Sequence, residues 1–448
     1  MSELNQRLLH PDFDVGPCFE RWLAAGGGEG LDAALADREA IVDTLEAAGL
    51  VGMGGAGFPT HRKWREAARQ KAPMRYVVIN GNEDEPGTFK DRHLLSRTPH
   101  QVIEGALIAA LAIDAAKVVF YINRRLESAI ASMREAIDEW LASPYTARIA
   151  SALGHPVELH VAQSTGRYIG GEETAIVSWL DGGFPFPRRK PPFPAQCGVR
   201  DAPTLINNTE TIANVAHILR AGAAAYRALG LGDACGTKLY SLSGDVLEPG
   251  LYELPMGTSL RDLVFSHGHG MLGGKAFKAV FTGGPSNTLL TAADLDVALD
   301  FASLRERGSR LGTGAMIVVG EGTSIVREVA RYVEFFAAGS CGQCPPCKCG
   351  TFQMARLLQR IDTGAAGREA VAALESLCEL LPGSGRCALI DGAVTVVESS
   401  IRTFPHEYGL SAEHLPKTLT IASERVIPKT LTHEAAARQP RTAGISMG

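Results

Sequence analysis

The sequence has no apolar run approaching the ~20 residues that a membrane-crossing helix requires. Its longest, GALIAALAI at 105–113, is cut off by Asp114 and Lys117, so no direct membrane insertion is expected. The amino-terminal MSELNQRLLHPDFD lacks a basic stretch followed by an apolar core, and no secretory leader is read from it. Basic charge is not in excess, with 44 lysines and arginines against 49 aspartates and glutamates and a net charge of −5. A dedicated nucleic-acid binder carries a basic patch that shifts this balance, so nucleic acid is not an expected partner. The nine cysteines are not the even, spread-out set of a secreted disulfide scaffold, which agrees with a reducing, cytoplasmic compartment. Motifs for molybdopterin, nickel or quinone are absent as well, so any terminal substrate is decided by neighbouring chains.

What is present begins with Cys341, Cys344 and Cys347, a C-x2-C-x2-C run, with Cys387 further on in RCALIDGA. This is the spacing of a cubane 4Fe-4S cluster. The run GSCGQCPPCKCG (339–350) lies between two apolar helical stretches, SIVREVARYVEFFAA and TFQMARLLQRI. Three thiolates would therefore converge on one loop, the fourth arriving after a third helix. Four thiolates also suit tetrahedral zinc, although structural zinc sites are usually built from two C-x2-C pairs. Cys349 and Cys378 leave the ligand assignment open, while the isolated Cys18, Cys197 and Cys235 are expected to be ordinary buried thiols.

A length of 448 residues suggests roughly three domains at ~150 residues each. The 49 glycines fall partly in short clusters. The first, GLVGMGGAGFPTHRKW at 49–64, follows a helical segment, and Gly52, Gly54, Gly55 and Gly57 leave room for a phosphate or a flat ring. It is not the strand–G-x-G-x-x-G–helix fingerprint, since no strand leads into it. A tight packing turn is the equal alternative. Next, the strand in RYVVINGNEDEPGTFKDRHLL (75–95) stops at Asn80 and releases Asn82, Glu83, Asp84 and Glu85. The end of a strand in an open α/β sheet is where ligands bind; a solvated acidic turn is the plainer reading. Further strands, KVVFYIN (117–123) and VELHVAQ (157–163), alternate with helices in a doubly wound pattern. In GRYIGGEETAIVSWLDGG (166–183), Glu172 and Glu173 open a helix whose dipole alone would favour them. KPPFPAQCGVRDAPTLINNTETIANV (190–215) adds Lys190, Phe193 and the pair Asn207–Asn208 before another helix.

In their order and spacing, GGAGFPT, NEDEPGTFKDR, YIGGEETA, KPPFP, PTLINNTETIANV, CGQCPPC and CALIDGA resemble the NADH-binding flavoprotein subunit of respiratory complex I. Its relatives in NAD-linked formate dehydrogenases and soluble NAD-reducing hydrogenases share the likeness, which runs from about residue 45 to about 410. VGMGGAGFPTH is also similar to ion-translocating ferredoxin:NAD oxidoreductases, but the GEET element and the single closing cysteine favour the flavoprotein family.

The resemblance implies an α/β Rossmann-like domain for FMN and NADH, then a β-grasp (ubiquitin-like) domain and a C-terminal helical bundle carrying a 4Fe-4S cluster. The expected boundaries are a helical segment at 1–45, the flavin domain at 46–235, the β-grasp at 236–323, the cluster domain at 324–424, and a poorly ordered tail at 425–448. FMN would be surrounded by Gly52, Gly54, Gly55, Lys63, Asn80, Asn82, Glu83, Tyr168, Gly171, Glu172, Ile206, Asn207, Asn208 and Thr211. NAD(H) would meet Phe58, Glu85, Glu173, Lys190 and Phe193, with Glu85 and Glu173 as catalytic residues. The cluster ligands would be Cys341, Cys344, Cys347 and Cys387. Expected partners are a small thioredoxin-like 2Fe-2S subunit and a larger iron–sulfur or catalytic subunit. A non-catalytic scaffold of the same fold is the alternative. Three positions depart from the family pattern: Met53 replaces an arginine, Asn82 an aspartate and Gly339 a glutamate, each removing a charge near a redox centre.

Overall fold

The computed structural model describes residues 7–410. The tail expected after 425 lies outside them. A first, wholly parallel sheet is built from β1 (Tyr76–Gly81), β2 (Lys117–Ile122), β3 (Glu158–Gln163) and β4 (Thr204–Asn208), in the order β3-β2-β1-β4. Parallel strands need long crossovers, supplied here by α5 (Lys90–Arg97) with α6 (Pro99–Ile113), and by α7 (Glu127–Ala142) with α8 (Pro144–Leu153). The chain adds β2 and β3 on one side of β1, then returns to lay β4 on the other. That reversal opens a crevice at the carboxyl ends of β1 and β4, where Asn80 pairs in register with Asn208.

The amino-terminal part is helical, with α1 (Phe19–Ala24), α2 (Glu29–Ala36) and α3 (Ile41–Ala48). The long apolar run is α6, buried along nearly its whole length against the sheet, α2 and α10 (Thr209–Ala221). Close approach depends on glycine: a β-carbon on Gly105 would stand 2.0 Å from the Ile212 carbonyl oxygen, and one on Gly30 2.3 Å from that of Ala216. The buried Glu104 accepts the Gly28 and Leu31 amides at 2.7 and 3.0 Å, holding the start of α2 on α6. Among the described residues no helix is long and apolar enough to cross a membrane.

A second sheet follows, β6-β5-β9-β7-β8. Its strands are β5 (Thr237–Gly244), β6 (Gly250–Pro255), β7 (Phe277–Thr282), β8 (Leu290–Thr291) and β9 (Ala315–Gly320). β5 and β9 are parallel neighbours at its centre, and the other pairs are antiparallel. The helical turn after β6 is π-helical over Asp262–His267, with Ser259 Oγ accepting the Asp262 amide at 3.0 Å. Four amphipathic helices complete the described chain: α13 (Ile325–Gly339), α14 (Pro345–Asp362), α15 (Arg368–Leu380) and α16 (Leu389–Thr403). Their apolar faces share one core, including Val329, Val333, Phe336, Met354, Leu358, Leu374, Ile390 and Val397.

The intervening helices are α4 (Thr60–Arg69), α9 (Glu173–Leu180), α11 (Ala223–Arg227) and α12 (Phe301–Glu306). One expectation is corrected: Cys18 is exposed, and Cys197 and Cys235 are only half-buried. Cys18 precedes the first turn of α1, and its side chain makes no capping bond.

Candidate functional site

The glycine loop runs from α3 into α4 and folds over the crevice. Its neck is closed by the Val51–Pro59 bridge and by the Gly52 amide donating to Phe58 O at 2.9 Å. The Met53 amide donates to Thr211 Oγ1 at 2.9 Å, tying the loop to α10. Met53 itself is fully buried, so this position adds packing and no charge. A β-carbon on Gly54 would stand 2.7 Å from Asn208 Cβ, whereas one on Gly55 would meet nothing within 4 Å. The loop thus packs on β4 at Gly54 and leaves open space at Gly55, where an anionic, flat group could approach the backbone.

The four asparagines at the strand ends build the wall. Asn80 Nδ2 donates to Gly171 O at 2.9 Å. Asn82 Nδ2 donates to Arg167 O at 3.0 Å, and its Oδ1 accepts a short hydrogen bond from Ser164 Oγ. Asn207 Oδ1 accepts Trp64 Nε1 at 3.0 Å. Asn208 Oδ1 caps α10 through the Glu210 amide, and Asn208 Nδ2 donates to Asp91 Oδ2 at 2.7 Å. Each amide therefore has a partner inside the protein, and its first effect is to fix the shape of the crevice.

Charges line the open side. Lys63 Nζ lies 3.1 Å from Ile206 O and 3.4 Å from Glu173 Oε2, and Lys190 Nζ lies 2.7 Å from Glu173 and 3.3 Å from Glu172. Burial works against ionisation of Glu173, but the two lysines outweigh it and hold its carboxyl below the usual range. Glu172 Oε2 accepts the Thr174 and Ala175 amides as the cap of α9. Phe58 and Phe193 are 51 % and 49 % exposed, and the Phe193 loop is held to α4 by Gln196 Nε2 on Glu66.

Two further acids are held by partners within the protein. Glu83 is buried and accepts the Asp91 and Arg92 amides at 2.8 and 3.2 Å, with Arg92 Nε at 2.7 Å, which makes it the cap of α5. Glu85 reaches to the second sheet, where Ser286 Oγ donates at 3.3 Å and Gly284 leaves no room for a β-carbon. Burial pushes the Glu85 carboxyl up to about 7.

The second site is a small cavity lined by Cys341, Cys344, Cys347 and Cys387 together with Ile169, Pro187, Ser340, Gln343 and Arg386. Cys344 is the cap residue of α14 and Cys347 lies in its first turn; Cys387 precedes α16. Two helix starts thus place partial positive charge beside the thiols. Burial pushes Cys387 up to about 11 and raises Cys347, so ligation there is coupled to proton release. Cys349 is exposed and Cys378 is buried among the bundle's apolar side chains, and neither lines the cavity. Among the described residues no three His, Cys, Asp or Glu side chains converge tightly enough for one ion. The lining supplies four soft thiol donors, and the C-x2-C-x2-C run among them is the spacing that fits an iron–sulfur cluster.

One short turn joins the two sites. In the 3₁₀ turn Tyr168–Gly171, Gly171 O accepts Asn80 at the crevice while Ile169 lines the cysteine cavity. Tyr168 packs edge-on against Phe335 and Phe336 of α13. Gly339 lets it do so, since a β-carbon there would stand 3.3 Å from Tyr168 Cβ. The sequence pattern YIGGEET marked this segment, but nothing in it announced contact with both sites.

Comparison with known proteins agrees with this arrangement. Residues 45–217 match the family model described as Nuo51 FMN-binding domain, and residues 327–411 match the NADH-ubiquinone oxidoreductase-F iron-sulfur binding region. An F subunit of NADH-quinone oxidoreductase from Rhizobium meliloti is 40 % identical over 90 % of this chain and 96 % of its own length. The F subunit of the Aquifex aeolicus NADH-quinone oxidoreductase is 38 % identical over 87 % and 90 %. Among solved structures, an NAD+-reducing [NiFe]-hydrogenase in the H2-reduced state superposes with a TM-score of 0.78 at 34 % identity, covering 89 % of this chain and 68 % of that one. The chain belongs to the family of NADH-quinone oxidoreductase F subunits, and it carries that family's FMN-binding domain and iron–sulfur binding region in one polypeptide.

Proposed function

We propose that this chain takes hydride from NADH at the β1/β4 crevice and passes single electrons through the cysteine cavity to a partner protein. Bound there, FMN supplies the conversion between a two-electron hydride and single electrons, and a 4Fe-4S cluster carries the single electrons onward. The amides of Gly54 and Gly55 and the Lys63 ammonium hold the phosphate end, while Gly52 closes the neck of the loop beside it. Asn80, Asn82, Glu83, Tyr168, Gly171, Glu172, Ile206, Asn207, Asn208 and Thr211 shape the ring and ribityl walls. Phe58 and Phe193 stack on the dinucleotide, Lys190 meets its phosphates, and Glu173 and Glu85 orient its polar groups beside the reacting face. Cys341, Cys344, Cys347 and Cys387 hold the cluster.

The observation that carries this reading is the Tyr168–Gly171 turn, which touches both sites. The order β6-β5-β9-β7-β8 supports reading 236–323 as a β-grasp domain between a flavin domain at 46–235 and a cluster domain at 324–424. A thioredoxin-like 2Fe-2S subunit and a larger iron–sulfur or catalytic subunit complete the complex, at a cytoplasmic location. The test is anaerobic titration of the purified holoprotein with NADH, followed by flavin absorbance and electron paramagnetic resonance. Bleaching together with a cluster signal is expected. Bound FMN and iron with no response to NADH would leave only a scaffold.

A further inference from the structure

We propose a binding site for a small phosphomonoester of a polyol at the carboxyl ends of β2 and β3, on the other half of the first sheet from the β1/β4 crevice. An open groove of about 270 Å³ there is lined by Arg124, Glu127, Ile130, Ala131, Arg134 and Gln163. That volume is near the lower end of small-molecule sites, which sets the size of the occupant. Ligands of open α/β sheets bind outside the carboxyl ends of the strands. Gln163 closes β3 in register with Ile122, the last residue of β2, and Arg124 follows two residues later. Residues 127, 130, 131 and 134 are spaced by three and four, so they share one face of α7.

Two cations in this groove are left for a ligand. Neither Arg124 nor Arg134 forms an ion pair among the described residues, whereas the neighbouring Arg125 is spent on Asp84 at 3.2 Å. The turn that divides them is fixed by Asn123 Oδ1, which accepts the Arg125 amide at 3.0 Å. Arg124 is held by contact: a β-carbon on Gly166, whose φ is +68°, would stand 3.2 Å from its Cγ and 3.4 Å from its Nε, so its stem rests on that glycine. The Gly166 amide is itself tied to Ser164 Oγ at 3.1 Å. Gln163 is anchored through its carbonyl, which accepts Trp179 Nε1 at 2.9 Å, and the residue stays exposed.

The chemistry of the lining selects the occupant. Guanidinium forks match the oxygens of a phosphate, which they hold bidentately. Glu127 disfavours a second anionic group but accepts hydroxyls, and the Gln163 carboxamide both donates to and accepts from them. The buried Ile130 and the small Ala131 supply an apolar floor for the carbon skeleton. One phosphate on a short hydroxylated chain answers all of these groups, whereas a dicarboxylate or a bare anion leaves the acid and the amide unused.

The test is isothermal titration calorimetry of the oxidised holoprotein with ribose 5-phosphate, at saturating NAD+ so that the crevice is occupied. Inorganic phosphate, ribose and succinate are the comparison probes. Ribose 5-phosphate is expected to bind at one site per chain and more tightly than any of the three. Arg124→Ala and Arg134→Ala should each weaken it about tenfold, the scale of one charge-assisted hydrogen bond. Glu127→Gln should weaken ribose 5-phosphate but leave inorganic phosphate bound at least as tightly. NADH-driven ferricyanide reduction is expected to stay within about twofold in all three variants, because none of these side chains lines the crevice. No binding by the wild type, affinity no better than that of inorganic phosphate or succinate, or unchanged affinity in either arginine variant overturns the proposal. Binding that appears only without NAD+ belongs to the crevice and overturns it as well. The heat signal does not depend on flavin chemistry, so a holoprotein that binds ribose 5-phosphate yet cannot reduce ferricyanide with NADH would sink the hydride reading and leave this site standing.

Discussion

Lys238 Nζ, on the first strand of the second sheet, lies 2.5 Å from Glu210 Oε2 in the first turn of α10, and neither side chain has exposed surface. The same carboxylate oxygen is 3.0 Å from Lys90 Nζ, and Lys90 also reaches Asp91 at 2.6 Å and Asn208 Oδ1 at 3.0 Å. Glu210 Oε1 accepts the Leu239 amide at 2.9 Å. The network pins β5 to the end of β4, where the crevice wall stands. Buried pairs of this kind are weak sources of net stability but costly to break, because one partner's loss strands the other in a low-dielectric interior.

Lys238→Met is therefore expected to cost about 3–5 kcal/mol, and Glu210→Gln a comparable amount. The double variant should lose clearly less than the sum, since each half removes the charge that the other stranded. Chemical denaturation of the three variants measures this. Simple additivity would show that the two side chains do not act as a pair.

At the open side, Glu173→Gln and Phe193→Ala should raise the KM for NADH about tenfold, the scale of one charge-assisted hydrogen bond, with FMN content unchanged. Glu173 is held ionised by Lys63 and Lys190, so its loss also alters the charge presented to the dinucleotide. Steady-state kinetics beside flavin extraction separates the roles; loss of FMN with normal NADH affinity would reverse the assignment of the two faces.

The parts legible in the sequence were those carried by local pattern: β1 with its polar terminus, the alternation up to β3, and the C-x2-C-x2-C run. β4 was not read as a strand, because TLINN is only five residues long and follows a proline-rich stretch. Capping was ambiguous for Glu172 and unread for Glu83. An acid at a helix start looks the same in sequence whether it faces a ligand or its own backbone. The Lys90–Glu210–Lys238 network was invisible, since it joins residues 120 and 28 positions apart whose burial is decided by how two sheets meet.

Asn82→Asp tests the departure at the strand end. It would restore a negative charge beside the crevice, which opposes further reduction there and lowers the FMN midpoint potential. It also replaces the Nδ2 donor to Arg167 O with an oxygen, at a cost of about 1–3 kcal/mol. Potentiometric titration and thermal unfolding give the two readings, and a raised midpoint would place Asn82 away from the ring.

Glu85 gives a pH dependence with a fixed sign. Burial raises its carboxyl from 4.5 to about 7, so between these values the folded state binds more protons than the unfolded one, and stability falls as pH rises. Glu104, also raised to about 7 by burial, adds the same slope. His100, held down to about 4 by burial, adds the opposite slope up to its ordinary 6.5. The informative quantity is thus the difference: Glu85→Gln should flatten the decline between pH 4.5 and 7 relative to wild type. Parallel stability curves would mean that Glu85 titrates alike folded and unfolded.

The last prediction separates two cysteines that the sequence left as rivals. Cys349 stands two residues from Cys347, close enough in sequence to serve, but α14 has begun by then and that step turns its side chain into solvent. Cys387 lines the cavity from a separate element, just before α16, so it can supply the fourth thiolate. Soft thiolate donors hold iron–sulfur clusters, and serine is a poor substitute. Cys349→Ser should therefore keep four irons and a reducible paramagnetic signal, while Cys387→Ser should lose iron or yield a degraded cluster. Iron analysis and electron paramagnetic resonance on the two purified variants decide it, and the opposite pattern would require α14 to unwind at its first turn to bring Cys349 inward.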